Sequence, residues 1–240
     1  MAFTPVLHSE WLKIRTLRSL VAALCAVLPA TALFAALAAT DSDGADFDPL
    51  FSVFFGVNFG QIAAIAFGTT AVAAEFRGGA LHATLAAVPW RGRWFAAKAV
   101  AVAVPVLGVG LVTGGVSLAV GEAALGAEAD GLTWSEEVRG VVGCAVYLTL
   151  MALLAAGLTA VLRSGVATLS VLIPFLLIVS FVVGDMSGTV ADVLPDRAGQ
   201  AVLHADGGGL LGPWGGPAVT ALWATAALVA GAWSVRRRDA

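Results

Sequence analysis

The sequence predicts an all-α integral membrane protein with six transmembrane helices, and three observations carry that expectation. The chain is 59% hydrophobic and 12% charged, with a mean hydropathy of +0.92, whereas a soluble domain carries about 25% charged residues. Six apolar segments, near 20–39, 51–74, 97–120, 140–161, 165–184 and 217–235, each reach the roughly 20 residues a helix needs to cross a bilayer core. The basic residues are sorted by these segments. Counting the seven polar pieces from the N-terminus, the odd ones hold Lys13, Arg15, Arg18, Arg77, Arg91, Arg93, Lys98, Arg163, Arg236, Arg237 and Arg238, and the even ones only Arg139 and Arg197. A bias of this kind places the basic pieces, and with them both termini, on the cytoplasmic side. The acidic residues agree: Glu10, Glu75 and Asp239 fall on the odd side and the other thirteen of sixteen on the even side.

The elements follow in order. Thr4–Pro5 is a helix start, since proline is tolerated at the first helical position. From there Leu7, Trp11 and Ile14 recur at helical spacing with Glu10 and Lys13 on the other side. This stretch reads as an interfacial helix whose basic residues meet anionic headgroups; the plainer reading is a positive cluster that only sets topology. The first span carries Pro29, which kinks a membrane helix without forbidding it. Ala36–Leu37–Ala38 matches a signal-peptide cleavage pattern, but about nineteen residues precede the run and five further spans follow it, which favours a retained helix. The loop at 40–50 contains four aspartates and no base, as expected of an exterior turn.

Span two is interrupted by Gly56, Gly60 and Gly68 and holds Asn58 and Gln61 at i, i+3. Two readings stand for that polar pair: it lines a path or a partner surface, or it hydrogen-bonds between helices of the same chain. The Gly56-x-x-x-Gly60 and Gly110-x-x-x-Gly114 pairs allow close helix approach within the chain or across a dimer. Spans four and five are joined by Leu162–Arg163–Ser164 alone, a tight cytoplasmic hairpin, and Pro174 kinks the fifth. The exterior stretch 185–216 is glycine-rich yet carries Val190, Val193, Leu194, Val202, Leu203, Leu210 and Leu211, too apolar for a solvated linker. Short helices dipping back into the outer leaflet account for it, because irregular backbone at that depth needs protein or a wet cavity around it. The longest piece between spans is about 32 residues, too short for an independent domain, so residues 1–240 form a single membrane domain.

Enzyme chemistry has little to stand on. Neither lysine sits in a Gly-Lys-Ser/Thr phosphate loop. His8, His82 and His204 are isolated in sequence, short of the clustered spacing of a metal or haem site. Cys25 and Cys144 fall inside spans, where thiols behave as small apolar groups. Glu136–Glu137 near Arg139 has the wrong spacing for a membrane protease. The inner two-thirds of every span lack ionisable residues, whereas ion-coupled carriers keep such groups at a cost of at least about 2.5–3.5 kcal/mol each. Energy for any transport therefore comes from elsewhere. A passive channel, a secondary carrier or a non-transporting structural or regulatory protein are the alternative classes.

The most informative stretch is AEFRGGALHATLAAVPWRGRWFAAK at 74–98. Glu75, Arg77, Leu81, Leu85 and Val88 can share a short helix along the membrane, ended by Pro89, after which Arg91, Arg93 and Lys98 return the chain to the anionic leaflet. Together with HSEWLKIRTLRS at 8–19, this stretch resembles the membrane subunits of type-2 ATP-binding-cassette (ABC) exporters, and the span order extends the likeness over essentially the whole chain. The shared pattern runs through Glu75, Phe76, Arg77, Gly79, Thr84, Leu85, Pro89, Arg91 and Ala97–Lys98.

The resemblance implies that 75–98 holds the coupling helix docking on an ATPase, whose closure pushes on 75–88, that 4–18 is an amphipathic connecting helix, and that the segment before the last span is re-entrant. It further implies pairing with a second permease copy or a paralogue and with two separate ATPase subunits that hold ATP and Mg, no cofactor in this chain, a bacterial cytoplasmic membrane, and no nucleic-acid partner. On that basis Glu75 and Arg77 are expected to contact the ATPase while Leu81 and Leu85 hold the helix to the span ends. The short exterior loops depart from family members that carry a large soluble domain. An apolar interior is compatible with lipids, hydrophobic antibiotics or modified peptides as cargo.

Overall fold

The computed structural model describes residues 3–38, 48–78, 80, 81, 84, 90–125, 132–179, 182, 193–206 and 212–238. Every regular element among them is helical. In chain order these are α1 (Phe3–Thr16), α2 (Arg18–Ala38), α3 (Pro49–Phe54), α4 (Val57–Ala73) with a 3₁₀ turn at Ala74–Phe76, α5 (Arg91–Leu125), α6 (Trp134–Leu162) and α7 (Gly165–Pro174) with a π turn at Phe175–Val179. They are followed by α8 (Pro195–Gln200) with a 3₁₀ turn at Ala201–Leu203, and by α9 (Gly212–Arg238).

Five of these stretches are long and apolar enough to cross a membrane: Arg18–Leu37, Val57–Phe76, Arg91–Leu125, Trp134–Leu162 and Gly212–Arg237. They make a multi-pass membrane protein. The remaining expected span, 165–184, is described as a continuous stretch only to Val179, as a shorter apolar helix, and residues 180, 181, 183 and 184 lie outside the described residues. Pro174 carries no amide proton, and the helix widens to π geometry directly after it. The stretch expected at 97–120 is instead a 35-residue helix, Arg91–Leu125. Hydropathy marks only the part in hydrocarbon, while the helix continues past it at both ends.

The helix α6 is the hub, with α9, α5 and α4 packed on it. Its Tyr147, Leu148, Met151 and Ala152 are fully enclosed. Small residues make the contacts close, as expected where helices have no hydrophobic drive to associate. A side chain at Gly110 would lie 2.7 Å from the Ala145 Cα, and one at Gly157 2.5 Å from the backbone of Ala227 on α9. Both glycine pairs noted in the sequence are used inside the chain: Gly56 and Gly60 meet Thr31 of α2, and Gly110 and Gly114 meet Ala145 and Val141 of α6.

Local sequence explains the ends of α6. Thr133 and Glu136 form a reciprocal capping box, with the Thr133 amide donating to Glu136 Oε2 at 2.8 Å. At the other end Arg163 adopts a left-handed conformation (φ 56°) and its amide returns to the Thr159 carbonyl at 2.7 Å. Ser164 then caps α7 by accepting from the Ala167 amide at 3.3 Å. The three-residue hairpin is thus specified by one left-handed residue and one cap.

Candidate functional site

Four charged side chains meet at the end of the bundle that carries the basic residues. Glu10 and Lys13 come from α1, Glu75 from the 3₁₀ turn after α4, and Lys98 from the second turn of α5. The Lys98 ammonium donates to Glu75 Oε1 at 2.7 Å and forms an ion pair with Glu10 Oε2. Lys13 reaches both carboxylates, Glu75 Oε1 at 2.8 Å and Glu10 Oε1 at 3.0 Å. The Trp94 indole N–H donates to Glu10 Oε1 at 3.2 Å, and the Thr84 hydroxyl to Glu75 Oε2 at 3.3 Å.

Two carboxylates and two ammonium groups balance, which is how three of them tolerate nearly complete burial: Glu10 is 1%, Glu75 3% and Lys98 4% exposed. Lys13 stays half-exposed; burial draws its pKa down, but the hydrogen bonds to Glu75 and Glu10 outweigh that and hold it above the usual 10.5. Val6, Val72, Leu81, Trp94, Phe95 and Val235 pack around this end.

This arrangement revises three expectations. Glu10 does not lie on the solvated face of α1; the inward face is Val6, Glu10 and Ile14, because Lys98 is there to neutralise the carboxylate. Lys98 points into the protein instead of toward headgroups. Glu75 is turned inward onto Lys98 and Lys13, while Arg77, two residues on, is exposed. Of the other coupling candidates, Phe76 is half-buried beneath the Arg163 guanidinium at 5.7 Å, Leu81 is buried, and Thr84 joins the cluster. Gly79, Leu85 and Pro89 lie outside the described residues.

Among the residues expected at the interface, Arg15, Arg18, Arg93, Arg236 and Arg237 are exposed and Trp11 and Arg91 half-buried. Arg93 and Arg237 sit over the Trp90 and Trp233 rings at 4.6 and 4.4 Å. Arg238 ends α9, and its side chain lies outside the described part.

A second polar cluster sits within the bundle; the groups that hydrogen-bond in it are neutral, with the buried Asp196 carboxylate near enough to Tyr147 to act on it electrostatically. Tyr147 on α6 donates its hydroxyl to Gln61 Oε1 at 2.5 Å. Gln200 on α8 donates to Asn58 Oδ1 at 2.9 Å and to the Tyr147 hydroxyl at 3.1 Å. Of the two readings for Asn58 and Gln61, hydrogen bonding between helices is the one these contacts display. Tyr147 and Gln200 were not singled out in the sequence, although Tyr147 is the only tyrosine in the chain and interrupts an apolar run. That was the available signal.

At the opposite end Asp48 caps α3, accepting from the Phe51 amide at 3.1 Å, from the Ala205 amide at 3.1 Å and facing His204 Nδ1 at 3.0 Å. Arg139 donates to the His204 and Ala205 carbonyls. His204 is therefore not isolated in space: one ligating atom from each of Asp48, His204 and Asp206 falls within 4.8 Å of the others. The contacts already made by Asp48 fasten the turn after α8 to the start of α3. Of the expected re-entrant segment, Pro195–Leu203 is a pair of short helical turns buried against α6 and α9, with Thr220 donating to the Pro195 carbonyl at 2.7 Å. Residues 185–192 and 207–211 lie outside the described part.

Neither a known family model nor a curated protein matches this chain.

Proposed function

We propose that the chain is the permease subunit of an ABC exporter in a bacterial cytoplasmic membrane, with the basic end of the bundle in the cytosol and ATP hydrolysed by separate partner subunits. It has six spans, the fifth formed by the stretch that begins with α7, and a re-entrant element around α8. The reading is supported by the 8–19 and 75–98 sequence patterns and by one geometric observation. Glu75, at the head of the proposed coupling segment, is ion-paired to the root of α5 through Lys98 and to α1 through Lys13.

Force delivered to the 75–88 segment by a closing ATPase would pass through that charge cluster into α1 and α5 together. Arg77, exposed beside it, is the residue that contacts the ATPase; Glu75 positions the segment from inside. The permease pairs with a second copy or a paralogue, and the path opens between the two.

The test is to purify the full-length tagged chain from its native host and assay ATP hydrolysis and the identity of co-purifying nucleotide-binding subunits. Arg77→Glu is expected to remove the ATPase while leaving membrane insertion and melting temperature unchanged. A chain that copurifies with no nucleotide-binding protein, or that keeps it in the Arg77→Glu variant, contradicts the reading and favours a structural, regulatory or passive-channel role.

A further inference from the structure

An open cavity of about 550 Å³ lies where the start of α1, the start of α5 and the end of α9 converge. Three arginines line it, Arg91, Arg93 and Arg236, and no acidic side chain among the described residues does. Its remaining wall is apolar, from Phe3, Trp90 and Ala96. Two of the guanidinium groups are held in place. Arg91 donates to the Val235 and Arg236 carbonyls at 3.2 Å, and Arg93 stacks on Trp90. Gly92 leaves room for Arg236, whose Nη2 would lie 2.5 Å from any side chain placed there.

The location is electrostatically unusual. Arg91 and Arg93 occupy the first turn of a 35-residue helix that has no acidic residue there, so cations face the positive end of the helix dipole, where anions are favoured. An anion among the arginines offsets their charge and sits at the favourable end of that dipole. The indole belt of Trp90 and Trp233 marks the depth of lipid headgroups.

We propose that this cavity is a phosphate-binding site for an anionic phospholipid, with the arginines on the phosphodiester and Phe3, Trp90 and Ala96 against the glycerol and first acyl carbons. The apolar wall and the volume, larger than a bare phosphate needs, favour a lipid over a soluble anion. The site is independent of any ATPase.

The experiment uses the full-length chain reconstituted in vesicles of phosphatidylcholine alone or of phosphatidylcholine and phosphatidylglycerol in equal parts, then extracted in mild detergent. Lipid retained per chain is read by native mass spectrometry. The wild type is expected to retain phosphatidylglycerol selectively. Arg93→Gln/Arg236→Gln is expected to lower that retention about tenfold or more, and Arg236→Gln alone by a smaller factor. Arg15→Gln, an exposed arginine outside the cavity, serves as the control and retains the lipid.

A parallel arm measures melting temperature in phosphatidylcholine with added inorganic phosphate. Phosphate that raises the wild-type but not the double-variant melting temperature, without selective lipid retention, assigns the same site to a soluble anion. Equal retention and equal phosphate response in wild type and both cavity variants overturns the proposal, as does a loss shared by Arg15→Gln. Melting temperatures in phosphatidylcholine alone report whether each variant is folded. If the double variant is not, Arg236→Gln at an exposed helix end decides the matter by the same criteria.

Discussion

The two polar clusters of this protein solve the same problem in opposite ways. At the basic end, Glu10, Lys13, Glu75 and Lys98 join α1, α4 and α5 with full charges. Within the bundle, Asn58, Gln61, Tyr147 and Gln200 join α4, α6 and α8 through hydrogen bonds between neutral groups, with the Asp196 carboxylate of α8 buried nearby. An ionised group deep in the bilayer costs several kcal/mol even when it finds a partner. At the basic end the two carboxylates and two ammonium groups neutralise one another, and the charged tie holds α1, the least apolar of the three helices, to the ends of two spans. The difference implies two mechanical characters. The charged cluster is a tie whose loss of one member exposes the others, and the neutral network is a set of modest, separable hydrogen bonds.

Removing one charge is the sharpest way to break this comparison. Lys98→Met leaves Glu10 and Glu75 buried with Lys13 alone between them, and it is expected to cost about 3–5 kcal/mol, read as a fall in melting temperature of the full-length chain in lipid. Adding Glu10→Gln to Lys98→Met removes the stranded charge and is expected to recover most of that loss. If the single substitution is neutral, the cluster is not a tie.

A steric change comes next. Gly157→Val places a side chain against the Ala227 backbone and is expected to cost about 1–3 kcal/mol by forcing α6 and α9 apart. Unlike Lys98→Met, no second charge change should rescue it. In the neutral network, Tyr147→Phe removes the hydroxyl shared by Gln61 and Gln200. It is expected to cost about 0.6 kcal/mol and no more than about 1.7; a loss as large as that of Lys98→Met would erase the distinction between the clusters.

The smallest effects are in pH. The Lys13 pKa lies above 10.5, so its contribution is complete below pH 10.5 and is lost as pH rises through the higher folded value. The melting-temperature difference between wild type and Lys13→Met should be flat at neutral and mildly alkaline pH and close above that point. Asp48 behaves in the opposite sense. Burial would raise its pKa, but the hydrogen bonds with His204 and the Phe51 and Ala205 amides hold it below 3.8. Its contribution is present above pH 3.8 and lost as pH falls through the lower folded value, so the difference from Asp48→Asn should close in acid. The Tyr147→Phe difference should not change with pH through the neutral range.

Much of the fold was legible because hydropathy and the sorting of arginines depend on the bilayer, a partner every segment shares. That is why Arg18–Leu37, Val57–Phe76 and Trp134–Leu162 fall close to the expected spans. Cluster geometry was not legible in the same way. Glu10 pairs with Lys98 eighty-eight positions away, and helical spacing within α1 alone put Glu10 on the wrong face. The helical period assigns polar residues outward by default; only the position of α5, with Lys98 and Trp94 on its first two turns, turns that face inward. Gln200 was hidden for a related reason, since nothing in the 195–203 stretch itself reveals that it folds back beside Tyr147. The Leu162–Arg163–Ser164 hairpin, by contrast, was readable because its cap and turn are local.

The central claim is that the charge cluster and Arg77 face the cytosol, where an ATPase can reach them. Site-directed labelling tests it in a chain with Cys25 and Cys144 replaced by alanine and a single cysteine introduced either as Arg77→Cys or, at the exposed opposite end, as Arg197→Cys. With a membrane-impermeant maleimide, position 77 should react only in inverted vesicles and position 197 only in intact cells. Labelling of position 77 in intact cells would put the cluster on the wrong side of the membrane and contradict the account.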